Sequence, residues 1–223
     1  MAREIMKTHD LDFSSRPSLL CQQKLSYGGT GMAFAPYGDF WREIRKICVV
    51  ELFSTKRVQS FRFIREEEIF QLVKSISQQS ANSSDPIINL SEMVFALTNN
   101  IICRIAFGKK FLHEGSKKCL LLNETQDLLA TTTFTDYFPS VGWVFDIVTG
   151  LHGRLQRNFC DLDLFYNQII EEHLHHNRTK KPEKEDITDI LLQMQQDQST
   201  SFHLEMDHIK ALFMVEQTQV LRP

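Results

Sequence analysis

The sequence predicts a mainly α-helical protein with little or no β-sheet. Apolar residues recur three and four positions apart in most segments, which is the period of an amphipathic helix. The alternation that marks a half-buried strand is weak throughout. With 223 residues, 42% hydrophobic and 24% charged, the chain can form a globular core.

The first clear helix follows a turn at residues 36–38, which contains a proline and a glycine. Asp39 is predicted to cap a helix that begins at Phe40. Trp41 and Arg45 are four residues apart, so they lie on one face of that helix. An indole beside a guanidinium suits a planar, anionic ligand. The alternative is a core tryptophan and an arginine that pairs with a neighbouring acid.

Two further helices are predicted in the first half of the chain. One has an apolar stripe through a charged segment, formed by Phe61, Ile64, Ile69, Leu72, Val73 and Ile76. The other begins at a possible capping box, Asn89 with Glu92, and ends at Gly108.

The second half of the chain continues this helical pattern. Helices are predicted from Leu120 to about Thr131, from Leu155 to Leu174 and from Ile187 to Met194. A last helix begins at Met206 and loses its apolar pattern at Glu216. A charged linker with a helix-breaking proline, residues 180–186, separates two of these helices.

Several separated blocks resemble plant microsomal cytochrome P-450 enzymes, the haem-thiolate monooxygenases, and they occur in the family's order. Phe-Ala-Pro-Tyr-Gly-Asp-Phe-Trp-Arg at 34–42 is similar to the family's C-helix region. Residues 2–17 resemble its B-helix region, and residues 99–108 resemble its E helix. The resemblance runs from residue 1 to about residue 214. It implies that residues 1–223 form a single incomplete domain, a partial cytochrome P-450 fold from about the B helix to the start of the I helix.

The resemblance also implies roles for individual residues. Trp41 and Arg45 would bind a haem propionate, whereas Arg42 and Lys46 would face the acidic surface of an NADPH-dependent reductase. The Gly-rich segment at 28–31 lacks the Lys-Ser/Thr of a phosphate-binding loop and is read as a flexible turn.

Substrate contacts are predicted in two places by the same resemblance. In the loop from about Ser26 to Phe34 the candidates are Met32 and Phe34. Residues 134–153, rich in aromatic and turn residues, correspond to the family's F–G region, which covers the substrate channel and touches the membrane. Phe134 and Phe138 are the candidates there. Two interpretations of this region are open: a loop packed onto the core, or a segment at the membrane interface.

The sequence lacks other blocks that the resemblance requires. The family's iron ligand lies in a signature of the type Phe-x-x-Gly-x-Arg-x-Cys-x-Gly. None of the five cysteines has this context; they are Cys21, Cys48, Cys103, Cys119 and Cys160. The family's oxygen-activating groove should follow Met214, but a divergent tail, residues 215–223, stands there. We therefore expect the isolated chain to be inactive. The alternative is a non-enzymatic helical fragment that binds partner proteins.

Composition excludes some functions and locations. The net charge of −3 gives no electrostatic case for nucleic acid. No run of eighteen apolar residues is present, so no transmembrane segment is predicted. The family lies on the cytosolic face of the endoplasmic reticulum; without its anchor this chain is predicted to be cytosolic or peripheral.

A histidine cluster near the end of the long helix comprises His173, His175 and His176. His173 and His176 are three apart and could share a face. Favourable placement of histidine at a helix C-terminus explains the cluster more simply than a metal, so no metal site is predicted.

Overall fold

The computed structural model describes residues 1–82, 88–110, 117–179, 185–197 and 202–218, and these ranges contain no β-strand. They contain eleven α-helices: α1 (Leu20–Leu25), α2 (Asp39–Ile47), α3 (Thr55–Ser60), α4 (Arg62–Asn82), α5 (Leu90–Phe107), α6 (Lys117–Ala130), α7 (Phe134–Tyr137), α8 (Gly142–Val148), α9 (Leu151–Thr179), α10 (Ile187–Gln196) and α11 (Met206–Thr218). Short π-helical turns occupy Glu4–Thr8 and Cys48–Leu52. The predicted mainly helical class is confirmed.

An aromatic cluster joins α5, α9 and α11 at the centre of the core. The Phe213 ring on α11 meets Phe107 of α5 edge-on, with centroids 5.2 Å apart, and Tyr166 of α9 at 5.6 Å. All three side chains are at most 1% exposed. Such pairs stabilise a fold beyond their buried area, by about 0.5–1.5 kcal/mol each. Consequently the helices that are distant in sequence are fixed against each other here.

Helix α5 has the ends that the sequence predicts. The Asn89 side chain accepts a hydrogen bond from the Glu92 amide at 3.3 Å, the first of the two bonds of a capping box. Gly108 adopts a left-handed conformation, φ 66°, and its amide closes the helix on the Arg104 carbonyl. Glycine is favoured at this position because it lacks a β-carbon.

The predicted role of Asp39 is wrong. Helix α2 begins at Asp39 itself, and Gly38, with an extended φ of 175°, precedes it without a side-chain cap. The Asp39 carboxylate lies inside the first turn and accepts a bond from the Arg42 guanidinium one turn later, at 2.7 Å. A carboxylate in a first turn still interacts favourably with the helix dipole.

The predicted apolar stripe of α4 is only partly buried. Phe61, just before the helix, and Ile64 are 6% and 5% exposed. Ile69 and Val73 are 49% and 56% exposed, because the middle of α4 turns this side away from the core. The regular spacing therefore predicts the helix correctly and its buried face incorrectly.

Helix α5 bears on the expectation that no transmembrane segment is present. Among the described residues it is the one helix whose length of 18 residues and apolar composition would allow it to cross a membrane. It also packs against α4, α10 and α11. Arg104 near its end pairs with Glu67 and Glu68 of α4, each at 2.6 Å. These contacts are those of a helix within a helical assembly.

Two predicted segments fall partly outside the described residues. Of the charged linker 180–186, residues 180–184 lie outside; Asp186 is buried and caps α10 with a reciprocal bond to Asp189. Of the tail 215–223, residues 219–223 lie outside, and α11 continues through the preceding positions to Thr218.

Candidate functional site

Helix α2 presents the predicted aromatic–cation pair on one face. The Arg45 guanidinium carbon lies 5.2 Å from the centre of the Trp41 ring, and the side chain of Arg45 is exposed. Ile44, three residues after Trp41 in the same helix, is fully buried and anchors α2 to the core. Stacking on an indole orients a guanidinium while leaving its N–H groups available.

The Trp41 indole has a partner that the sequence does not reveal. Its Nε1–H donates to the Met32 carbonyl oxygen at 3.0 Å. The Tyr37 ring lies beside it, with centroids 5.4 Å apart. Because a backbone carbonyl can come from any residue type, no sequence pattern marks this contact. Trp41 is thus tied to the loop that precedes α2.

Arg45 is exposed at the end of this face of α2. In the part of the chain that the structure describes, it forms no ion pair. A guanidinium in this setting can make bidentate, charge-assisted bonds to a carboxylate. The predicted alternative, an arginine paired with a neighbouring acid, has no counterpart among those residues. The site therefore fits the carboxylate end of a haem.

The four cysteines whose side chains the structure describes do not fit the iron end of a haem. Cys21, Cys48 and Cys103 are at most 1% exposed, and Cys160 is exposed on α9. Burial, with the nearby carboxylates Asp136 and Asp146, raises the pKa of the Cys21 thiol to about 11. A buried thiol of this kind stays protonated and is a poor metal ligand. The side chain of the fifth cysteine, Cys119, lies outside the described residues.

The predicted substrate residues occupy two different environments. Met32 and Phe34 are partly buried and pack against the core. Phe134 and Phe138 are 48% and 60% exposed. None of the four lines the 420 Å³ cleft between α6 and α9, whose walls include charges of both signs; its lining residues are Lys117, Leu120, Leu121, Glu124, Arg154, Arg157, Asn158 and Asp161.

Residues 133–149 form an ordered helical hairpin, α7 and α8, rather than an irregular loop. Asp146, 2% exposed, accepts the backbone N–H groups of Phe134 and Thr135 at 2.9 and 3.0 Å. A β-carbon on Gly142 would lie 2.4 Å from the Phe134 backbone, so the two helices touch. The outer side is apolar and exposed; it comprises Phe134, Tyr137, Phe138, Val141, Trp143, Val144, Phe145, Ile147 and Val148. We call these side chains the aromatic patch.

Arg42 and Lys46 are exposed on α2, as a contact surface requires. Arg42 pairs with Asp39 at 2.7 Å, and Lys46 pairs with Glu43 at 3.6 Å. Exposed ion pairs of this kind contribute about 0–1 kcal/mol, so both cations can exchange partners readily.

His173 and His175 of the histidine cluster differ in exposure: His173 is half-buried and His175 is exposed. His173 lies beside Asp186 and Asp189, a set of possible metal ligands, while the His176 side chain lies outside the described residues. His173 Nδ1 donates to the Ile169 carbonyl oxygen at 2.7 Å, and Nε2 meets Asp186 at 2.8 Å. Both carboxylates also bond the first turn of α10. With both ring nitrogens engaged, this group is a buried ion pair at a helix start.

Comparison with known proteins assigns the chain to a family. The sequence profile of the family described as Cytochrome P450 matches residues 1–215. Cytochrome P450 71A1 of Persea americana is 43% identical over 220 residues, which are 96% of this chain and 43% of that protein. Strychnine-11-hydroxylase of Strychnos nux-vomica is 43% identical over 218 residues, 96% of this chain and 42% of that enzyme.

The fold of the chain is similar to part of the fold of solved cytochrome P450 structures. A zebra fish cytochrome P450 with abiraterone superposes with a TM-score of 0.66 at 20% identity, covering 97% of this chain and 46% of that one. The chain belongs to the cytochrome P450 family, whose members bind haem, and has part of its fold. It spans less than half the length of these relatives.

Proposed function

We propose that this chain supplies the propionate-binding helix and one side of the substrate channel of a monooxygenase. The reaction inserts one oxygen atom of O2 into a small lipophilic substrate, with electrons from NADPH delivered by a reductase. The exposed Arg45 held over Trp41 carries this proposal: it has no ion pair among the described residues, and its guanidinium can bind a carboxylate where the family resemblance places a haem propionate. Bound haem would supply the oxygen chemistry.

The chain's own residues then have separate tasks. Arg45 binds the propionate, and Trp41 supports its guanidinium. Met32 and Phe34 contact substrate from the loop before α2. Arg42 and Lys46, exposed on the same helix, speed the encounter with the acidic surface of the reductase.

Residues 1–223 as they stand are not expected to catalyse the reaction. No described cysteine fits an iron ligand, and the thiolate signature is absent from the sequence. A purified sample that gave the thiolate-type Soret band in its reduced, carbon-monoxide-bound form would contradict this.

Haemin titration tests the propionate site. Arg45→Ala should weaken haemin binding about 10- to 100-fold, the loss expected for a hydrogen bond to a charged group. Arg62→Ala is the matched control, since Arg62 is an exposed arginine on α4 whose ion-pair partner among the described residues is Glu66. Equal affinities of the two variants would overturn the proposed role of Arg45.

The aromatic patch favours a peripheral membrane position over a loop packed onto a core. Trp143 and Phe138 are 56% and 60% exposed on an ordered hairpin. Aromatic side chains suit the interface between lipid and water. Trp143→Ala should reduce sedimentation with phosphatidylcholine vesicles, and Val58→Ala, an exposed apolar site on α3, should not. Unchanged sedimentation of both would favour a soluble location.

A second candidate is a non-enzymatic fragment that binds partner proteins. It is favoured by α4, where Ile69, Phe70 and Val73 are 49%, 66% and 56% exposed. Apolar patches of this kind mark association surfaces. A monodisperse monomer with a cooperative thermal transition would support a stable fragment of this type. Aggregation would count against it.

A further inference from the structure

A partly buried hydrogen-bond network joins the loop after α1 to α9 and α11. Asp163 on α9 is its centre: one carboxylate oxygen accepts Lys210 Nζ of α11 at 2.7 Å and the Tyr27 hydroxyl at 2.9 Å. The other oxygen accepts Asn167 Nδ2 at 3.0 Å. Three segments far apart in sequence thus meet at one side chain.

The charges make this network hard to disrupt. Lys210 is 7% exposed, and a buried ammonium requires a partner. Burial opposes ionisation of Asp163, but bonds from Lys210 and Tyr27 outweigh it and lower the pKa of the carboxyl. Burial, with the Asp163 charge, raises the pKa of the Tyr27 hydroxyl, which therefore stays protonated and donates.

The loop at this junction has a constrained backbone. Tyr27, Gly28 and Gly29 have φ values of 53°, 79° and 77° in succession, and Tyr27 is the one described non-glycine residue with positive φ. A β-carbon on Gly31 would lie 3.0 Å from the Ala211 carbonyl oxygen of α11. A strained tyrosine persists only where its surroundings fix it. Here Asp163 and α11 do so.

The same loop reaches the candidate haem site within a few residues. After Gly31, the Met32 carbonyl accepts the Trp41 indole N–H, so any shift of the loop moves that acceptor. We propose that Asp163 is a positioning residue that acts through the Tyr27 hydroxyl. It keeps the side chains of Met32 and Phe34 in place, and it keeps the Met32 carbonyl oxygen on the Trp41 indole N–H. This proposal rests on the proposed function for the roles of Met32, Phe34 and Trp41.

Tyr27→Phe tests the proposal with little disturbance elsewhere. The ring keeps its contact with Phe159, at 5.2 Å, and the Asp163–Lys210 ion pair stays intact. Amide hydrogen exchange should accelerate about 10- to 100-fold at Thr30 and at the other loop amides bonded within 26–35, since one bond to a charged group is lost. Exchange in α5 should be unchanged.

Tryptophan fluorescence reports the coupling to α2. The chain has two tryptophans, so Trp143→Phe leaves Trp41 as the single emitter. In that background Tyr27→Phe should increase acrylamide quenching of Trp41, because the Met32 carbonyl is no longer held on the indole N–H.

The matched control is Glu172→Gln. Glu172 lies on α9, as Asp163 does, and the substitution removes its exposed 2.6 Å ion pair with Lys109, which follows α5. It should change neither loop exchange nor Trp41 quenching. Two outcomes would overturn the positioning role: a Tyr27→Phe loop that exchanges like the parent, or acceleration spread evenly over all helices, which indicates general destabilisation.

These readouts need no haem and no substrate, so they separate the two proposals. If Arg45→Ala and Arg62→Ala bind haemin equally while Tyr27→Phe loosens the loop, the propionate site fails and the positioning role stands. If Arg45→Ala binds haemin weakly while Tyr27→Phe leaves the loop unchanged, the positioning role fails alone.

Discussion

Asp146 holds the hairpin of α7 and α8 together, and Asp146→Asn should open it locally. The carboxylate accepts the N–H groups of Phe134 and Thr135 and also the Thr135 hydroxyl. An asparagine of nearly the same shape has one oxygen and one NH2 group. In either orientation the NH2 group faces a backbone N–H, so at least one buried donor loses its acceptor.

The expected cost follows from counting these bonds. One buried N–H without an acceptor costs about 1–3 kcal/mol, and the remaining bonds change from charged to neutral, each weaker by about 1 kcal/mol. Two bonds remain, so the hairpin should lose about 3–5 kcal/mol of local stability. That corresponds to a roughly 150- to several-thousandfold rise in its open population.

Amide hydrogen exchange at Phe134 and Thr135 measures this opening directly. Asp127→Asn is the control. The Asp127 side chain is 75% exposed, and its ion pair with Arg154 is long, at 4.0 Å. The reasoning is refuted if the two variants exchange alike at these amides. A fall in the global unfolding midpoint without local acceleration would also refute it.

Two further predictions concern the junction of α5, α9 and α10. Gly108→Ala should destabilise the fold more than Gly150→Ala in urea unfolding. Both positions have positive φ, which costs about 1–2 kcal/mol for alanine. Of the two β-carbons, the one at position 108 would also lie 2.7 Å from a carboxylate oxygen of Asp186. Equal losses would show that the junction adapts freely. Burial opposes protonation of His173, but its bond to Asp186 outweighs it and raises its pKa above 6.5. Its stabilising contribution is therefore complete below pH 6.5 and is lost as the pH rises through the raised value. His173→Gln should flatten the pH dependence of the urea midpoint between pH 6 and 9, and a slope equal to that of the wild type would contradict this.

The sequence predicts much of the helical framework because its cues are local. Asn89 and Gly108 mark the ends of α5 through contacts within one turn. The spacing in α9 places Leu162, Tyr166 and Ile169 on the buried side, where they are at most 2% exposed. Ile69 and Val73 follow the same spacing on α4 and are exposed, because burial depends on what packs opposite.

In the candidate site, Trp41 and Arg45 lie side by side because residues four positions apart are separated by about one helical turn. The residues alone therefore determine the helix, its aromatic–cation face and, through the flanking blocks, the family. Tertiary structure decides that the Trp41 N–H bonds the Met32 carbonyl and that Asp163 holds Tyr27 beside Lys210. Such contacts join positions up to 136 residues apart, as Tyr27 and Asp163 are, and no local pattern encodes which distant groups will meet.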